Sequence, residues 1–242
     1  MACGACLTAT VLAIGPSAEG LTRATQLWVA RYNGPANGGD DAYAVAVSPD
    51  GSRVFVTGAS ESSTHLDYAT VAYNASTGHK LWVARYNGPG NGDDLAFSLG
   101  VSPDGTSVFV TGKSTGMGTG YDYATVAYDA ATGAKLWVAR YNGPGNRDDL
   151  AFSLGVSPDG SSVFVTGWSD AGGAPGFDYA TVAYEASTGV KLWAKRYNGP
   201  GNGDDQAYSV AVSPDGSRVF VTGGSDGGST TKFDYATVAY EA

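Results

Sequence analysis

Histidine, methionine and cysteine are almost missing from this chain: of 242 residues, two are His, two Met and two Cys. The cysteines, Cys3 and Cys6, form a C-x-x-C pair, which is either a redox pair or half of a zinc site. A zinc site needs about four ligands, and the two histidines, His65 and His79, lie far from that pair and from each other. An imidazole-activated nucleophile is excluded on the same ground. Basic residues are also scarce. Lys plus Arg number 14 against 23 Asp plus Glu, a net charge of −9. Nucleic acid and anionic membrane surfaces need a basic patch to neutralise phosphates, so neither is an expected partner. No apolar run reaches the roughly 18 residues of a membrane-spanning helix, so no membrane insertion is expected.

What the chain has in excess is repetition. The segment LWVARYNG recurs with little change, and its tryptophans are Trp28, Trp82, Trp137 and Trp193, spaced 54, 55 and 56 residues apart. A constant period near 50 residues marks a repeat architecture. Residues 94–142 serve as the model unit. DLAFSLGVSP alternates with period 2 and reads as a first strand. Ser102-Pro103-Asp104-Gly105 has type I turn chemistry, with Pro fixing φ at the second position and Gly tolerating the exit at the fourth. SVFVTG is a second, β-branched and aromatic strand. A Gly-rich loop at 113–121 precedes a third, DYATVAYDA. Ala131-Thr132-Gly133 turns it into a fourth, KLWVARYN. Helical periodicity is absent throughout.

Four short antiparallel strands repeated around an axis make a propeller blade. The fold class expected is therefore all-β, a β-propeller of four four-stranded antiparallel blades at about 40–87, 93–142, 148–198 and 204–242. The repeats open on a fourth strand, 27–33, and end on a third, 234–242. The N-terminal strand is expected to close the last blade and remove an exposed edge. Closure within one chain gives a four-bladed monomer; closure between two chains gives an eight-bladed ring, a closed homodimer. Residues 1–26 read as a leader, with a small apolar stretch like a secretory h-region but no Lys or Arg at its start.

The turns AYDAATGAKLW (127–137), AYNASTGHKLW (72–82) and AYEASTGVKLW (183–193) are similar to the tryptophan-docking motif of PQQ-like propellers, A-x-D-x-x-T-G-x-x-x-W. The Asp of that motif is Asp129 in one unit, Asn74 and Glu185 in the others. The combination VFVTG, DYATVAY and LWVARYNGPGNGDD also resembles the bacterial repeats called SBBP or YVTN. The resemblance implies a propeller whose Trp packs between blades and whose context is extracytoplasmic or at the cell surface. It also raises a quinoprotein-like, PQQ-dependent enzyme half as an alternative. Yet no blade holds a Cys, and the adjacent cysteines and calcium-linked carboxylates of that enzyme class have no counterpart. PQQ is therefore not expected and the chain is read as non-enzymatic: a scaffold or binding module for a protein or glycan, or failing that a passive structural repeat.

Two features could hold chemistry at the loop end of the blades. Each unit has an Asp pair, Asp40-Asp41, Asp93-Asp94, Asp148-Asp149 and Asp204-Asp205. Four such pairs around a channel mouth would offer hard oxygen ligands to a cation, calcium by preference; the competing reading is that each Asp holds its own turn. Length and sequence vary mainly in 59–66, 113–121, 168–177 and 224–233, where Trp168, His65, Lys113 and Lys232 are each unique to one loop. An aromatic beside polar groups is a contact point for a ligand, and Trp168 leads this set. The repeated arginines, Arg31, Arg85, Arg140 and Arg196, are expected to pair with acidic neighbours, and Asp67, Asp122, Asp178 and Asp234 to bond the loop backbone ahead of them.

Overall fold

A computed structural model describes residues 24–173, 176–229 and 231–242; the leader up to residue 23 and the Cys3–Cys6 pair lie outside the described residues. Among the described residues there are fifteen strands and no helix. Blade 1 is β1 (Asp40–Val47), β2 (Arg53–Glu61), β3 (Leu66–Asn74) and β4 (Lys80–Tyr86). Blade 2 is β5 (Asp94–Val101), β6 (Ser107–Thr115), β7 (Tyr121–Asp129) and β8 (Lys135–Tyr141). Blade 3 is β9 (Asp149–Val156), β10 (Ser162–Asp170), β11 (Phe177–Glu185) and β12 (Lys191–Tyr197). Blade 4 is β13 (Asp205–Val212), β14 (Arg218–Asp226) and β15 (Phe233–Glu241). Each blade is an antiparallel meander, and its strands pair in chain order. The all-β propeller of four blades read from the sequence is the fold observed.

The turns form as their residues dictate. In blade 1, Gly51 N–H donates to the Ser48 carbonyl at 2.8 Å, and Asp50 accepts from the Ser52 N–H at 3.0 Å. These bonds to Ser48 and Ser52 hold the exposed Asp50 carboxyl well below the usual range. The same device recurs in blade 3, where bonds from Ser157 and Ser161 bring Asp159 down to about 2.

Three hydrophobic cores hold the blades together, each shared by two neighbours. Phe55, Tyr68 and Trp82 of blade 1 pack with Val108, Val110 and Val126 of blade 2. Phe109, Tyr123 and Trp137 meet Val163, Val165 and Val182 of blade 3. Phe164 and Tyr179 meet Val219 and Val221 of blade 4. A blade with two apolar faces cannot bury both alone, and stacking completes the burial. Polar links follow the same step. Tyr68 Oη donates to the Ala124 carbonyl at 3.1 Å, Tyr123 to Ala180 at 3.1 Å and Tyr179 to Ala236 at 3.2 Å.

The tryptophans lock each outer strand onto the next blade. Trp82 Nε1 donates to the Ala130 carbonyl at 3.1 Å and Trp137 Nε1 to Ala186 at 2.9 Å. The Thr-Gly turn beneath each ring must be glycine on two counts. Gly133 has φ +73°, and a Cβ there would lie 2.7 Å from Trp82. Asp129 Oδ1 ties that turn by accepting from the Thr132 N–H at 2.8 Å, and Asn74 does the same for Thr77 at 3.0 Å. Glu185, one methylene longer, accepts instead from the Thr188 hydroxyl. The imperfect motif therefore keeps an acceptor in all three units.

The repeated arginines of blades 1 to 3 pair with acidic neighbours as expected, and the expectation for the aspartates needs correction. Asp67, Asp122 and Asp178 do not bond the preceding loop; each pairs with the arginine of its own outer strand, 3.0 Å to Arg85, 2.8 Å to Arg140 and 2.9 Å to Arg196. These are half-buried networks. Arg140 Nη1 also reaches Ser114 Oγ at 2.6 Å and Tyr86 Oη of the preceding blade at 3.0 Å. Burial disfavours the Arg140 cation, but its bonds with Asp122 and Tyr86 outweigh that and leave its pKa raised.

The closing strand is not formed. Residues 27–33 carry no strand pairing, and the fourth sheet has three strands. The N-terminal segment instead docks on blade 1, where Trp28 Nε1 donates to the Ala75 carbonyl at 2.9 Å and Tyr32 Oη accepts from Arg85 at 3.2 Å. Those are the contacts that an outer strand makes with the blade after it. Inner strands pack in the sequence β1 to β5, β5 to β9 and β9 to β13, and β15 and the outer face of β1 are left open. The four blades thus form an arc with two free faces.

Candidate interaction surface

At one end of the blades, the turns joining blade to blade meet the loops between second and third strands. The first feature there is a bulge. β5 pairs Ala96 with Gly112 and Ser98 with Thr111, skipping Phe97. β1, β9 and β13 skip Tyr43, Phe152 and Tyr208 at the same place. The unbroken alternation read from the sequence is thus interrupted once per blade. A bulge bends the strand and re-aims a side chain. Here it brings the skipped rings into contact from blade to blade, Tyr43 tilted on Phe97 at 5.7 Å, Phe97 stacked on Phe152 at 5.6 Å and Phe152 tilted on Tyr208 at 5.9 Å. The glycine opposite is required, because a Cβ on Gly112 would lie 1.9 Å from the Leu95 carbonyl oxygen.

The paired aspartates take two hydrogen-bonding roles at this end of the blades. Asp94 accepts from Gly88 N–H at 2.6 Å, Asp149 from Gly143 at 2.6 Å and Asp205 from Gly199 at 2.7 Å. In blade 1 the residue in this role is Asp40, accepting from Gly34 at 2.8 Å, so the Asp40-Asp41 pair is displaced by one residue from the others. Asp93, Asp148 and Asp204 cap the preceding blade, accepting from the N–H of Leu66 at 3.1 Å, Tyr121 at 2.9 Å and Phe177 at 3.2 Å. Burial raises Asp94, and it raises Asp149 to about 6. Among the described residues no three His, Cys, Asp or Glu side chains gather as a metal site. Asp40, Asp94, Asp149 and Asp205 thus hold their own turns, and Asp93, Asp148 and Asp204 act as interblade caps.

The variable positions are placed as follows. Lys113 and Trp168 occupy the same register position in adjacent blades, opposite Leu95 and Leu150. Each lies on an aromatic of the next strand. Lys113 Nζ sits 3.9 Å from the Tyr121 ring centroid, and the Trp168 and Phe177 rings are 4.0 Å apart. Trp168 is therefore half-buried on its own blade. Tyr121 has its pKa raised by burial and then by Asp93 and Asp148, and the Asp148 carboxylate accepts from its backbone N–H at 2.9 Å. His65 and Lys232 do not join them. Both immediately precede the third strand, His65 in blade 1 and Lys232 in blade 4, at opposite ends of the arc. Lys232 lines an open cleft of about 750 Å³ with Asp204, Asp226 and Phe233. Sequence reading missed Tyr121 and Phe177. Their signal is the residue before the invariant Asp-Tyr-Ala-Thr, which is apolar or aromatic in every unit: Leu66, Tyr121, Phe177 and Phe233.

The surface so built can hold a ligand by stacking and by charge; its repeated polar groups are consumed in the scaffold. Among known proteins, a family model described as outer membrane protein assembly factor BamB matches residues 21–165 and 122–239. No curated protein matches the chain. Solved structures share its fold at low identity. Hydrazine synthase from Kuenenia stuttgartiensis is 16% identical over 83% of this chain and 51% of that one, with a TM-score of 0.57. The propeller domain of the Trilobed protease from Pyrococcus furiosus, described as having an open velcro topology, is 11% identical over 83% and 55%, with a TM-score of 0.52. TolB from Acinetobacter baumannii is 20% identical over 84% and 41%, with a TM-score of 0.50. This chain thus spans about half the length of the structures it resembles.

Proposed function

Because the chain belongs to the family described as outer membrane protein assembly factor BamB, we propose that it is a non-enzymatic propeller scaffold working outside the cytoplasm. Its partner is a protein engaged in assembly of the envelope, held at the loop end of blades 2 and 3. One observation carries the reading. At a single register position of an otherwise near-identical repeat, the residue changes from Ala59 to Lys113 to Trp168 to Gly224. The flanking Asp-Tyr-Ala-Thr stays the same in every blade. A position that the scaffold does not constrain, and that carries a stacked cation in one blade and a stacked indole in the next, offers an acidic group and an apolar group adjoining footholds on one extended segment.

The test is site-specific photocrosslinking of the full chain in intact cells. A photoreactive phenylalanine at Trp168 or Lys113 is expected to yield discrete protein adducts, and one at the exposed Val190 at the far end of blade 3 is expected to yield none. Equal adducts at the three sites, or none at Trp168 and Lys113, would refute the reading.

A further inference from the structure

The turn end of the blades, opposite Lys113 and Trp168, holds a departure from the repeat that packing does not require. The second strand opens with Arg53 in blade 1, Ser107 in blade 2, Ser162 in blade 3 and Arg218 in blade 4, each opposite the last residue of the third strand. Strand alternation fixes where these side chains go. Arg53 lies two residues before Phe55, which packs into the core shared with blade 2, so both point at blade 2. Ser107 stands in the same relation to Phe109 and blade 3.

In the first seam the arginine sits among carboxylates. Arg53 is half-buried. Asp50 of its own turn and Asp129 of blade 2 both have lowered pKa values. Bonds from serine or threonine side chains are the main cause, and the charge of Arg53 is a smaller one on each side of the seam. Arg53 thus supplies a cation between the two blades.

In the second seam the arginine is replaced by Ser107, and a cleft of about 450 Å³ stands at that place. Asp104 of blade 2 and Asp159, Gly160 and Ser187 of blade 3 line it, together with Ser107 and the buried Phe109. Among the described residues that line it none is basic. Bonds from Ser102 to Asp104 and from Ser157 to Asp159 hold both carboxyls below their ordinary range, Asp159 at about 2, so both are ionised at neutral pH. The recess therefore has two anions on its walls, an aromatic ring beneath and hydroxyls at its side.

We infer that this cleft binds a small guanidinium compound, a planar cation on a short aliphatic stem. That is the chemistry that Arg53 supplies from within the chain one seam earlier. A guanidinium presents a fork of donors that matches carboxylate geometry, and its stem can lie along an apolar wall such as Phe109. A recess of a few hundred Å³ is of the size that small ligands occupy.

The experiment follows the backbone amide signals of the isotope-labelled full chain as n-propylguanidinium is added. The amides of Gly160 and Ser187 are expected to shift and to saturate at millimolar concentration. Ala131, the counterpart of Ser187 in the Arg53 seam, should stay still. The neutral isostere n-propylurea should move none of them. Two exchanges then relocate the site. Each gives one blade a residue that another blade already has at that position, so the fold is kept. Ser107→Arg fills the cleft from within and should abolish the Gly160 and Ser187 shifts. Arg53→Ser opens the first seam, and Ala131 should then shift as well. Equal shifts with n-propylurea, a Ser187 shift that survives Ser107→Arg, or an Ala131 signal that stays still after Arg53→Ser would each overturn the site. A blocked tripeptide with arginine at its centre separates a free ligand from a protein side chain. It should need a higher concentration than n-propylguanidinium, and tighter binding by the tripeptide would overturn the assignment to a free ligand. These signals report the turn end and a small cation, so their failure leaves the photocrosslinking result untouched, and the reverse holds too.

Discussion

The indole of Trp82 rests on Gly133 of the following blade, 2.7 Å from where that glycine's Cβ would be, while its Nε1 holds the Ala130 carbonyl. Gly118, in an open loop, has a similar φ of +79° but nothing within 4 Å of its virtual Cβ. Gly118→Ala should therefore lose about 1 kcal/mol, the usual price of a left-handed Cβ. Gly133→Ala adds displacement of a buried indole and should lose about 3 kcal/mol or more. Urea unfolding of both variants measures the difference. Equal losses would mean that the Trp is not seated on the turn.

The bulge sets a steeper test. A Cβ on Gly167 would lie 1.9 Å from the Leu150 carbonyl oxygen, which is backbone and cannot swing aside. Gly167→Ala is expected to lose more than about 3 kcal/mol or to prevent folding of blade 3. Gly173→Ala, where nothing lies within 4 Å and φ is not left-handed, is the control and should be near neutral.

Arg140 and Asp122 are 2.8 Å apart and half-buried to buried. Arg140→Met leaves a buried carboxylate unpaired, and Asp122→Asn leaves the guanidinium without its counter-charge. Each single change should lose about 2–3 kcal/mol, and the double change less than their sum, with a coupling on the order of 1–2 kcal/mol. A double-mutant cycle by denaturant titration reads that coupling. Additive losses would show that the pair has no energetic link.

Asp149 fixes the sign of one pH effect. Burial raises its folded-state pKa to about 6, above the ordinary 3.8. Between those values the folded chain binds the proton more tightly than the unfolded chain, so this group's contribution falls as pH rises from about 4 to about 6 and then stays constant. The loss at neutral pH is on the order of 2–3 kcal/mol. Asp149→Asn keeps an acceptor for the Gly143 N–H and removes the charge. The variant should gain on the parent protein as pH rises through that window and match it near pH 4. The exposed turn aspartates, such as Asp159 and Asp215, both lowered to about 2, act in the opposite sense below the window and cancel in the comparison.

Much of the scaffold was legible because its signals are local. Period-2 runs, Ser-Pro-Asp-Gly turns and the Thr-Gly turn beside a Trp each act over a few residues, and the repeat confirms each of them several times. What was hidden depends on register. The string DLAFSLGV alternates whether or not Phe97 is paired, so the bulge shows only once Gly112 meets Ala96. The Arg140–Asp122 pair joins residues 18 apart across a strand and a turn. The aspartate pairs look equivalent as dipeptides, yet Asp40 aligns with Asp94 and not with Asp93, because the loop before it is one residue longer and each holds the glycine six residues earlier. At the candidate surface, Trp168 stood out as a singular residue, but its partner Phe177 was masked by being one of a regular series.

The three seams between blades are chemically one seam, repeated down to the Tyr–carbonyl bond. A genetic exchange between units would therefore delete or duplicate a whole blade without creating any new junction. Every blade in the altered protein would still find familiar neighbours and would still fold. Only the count of blades around the axis would be wrong. Selection on the number of repeats would then act on how many blades are joined, and would leave the folding of each blade untouched.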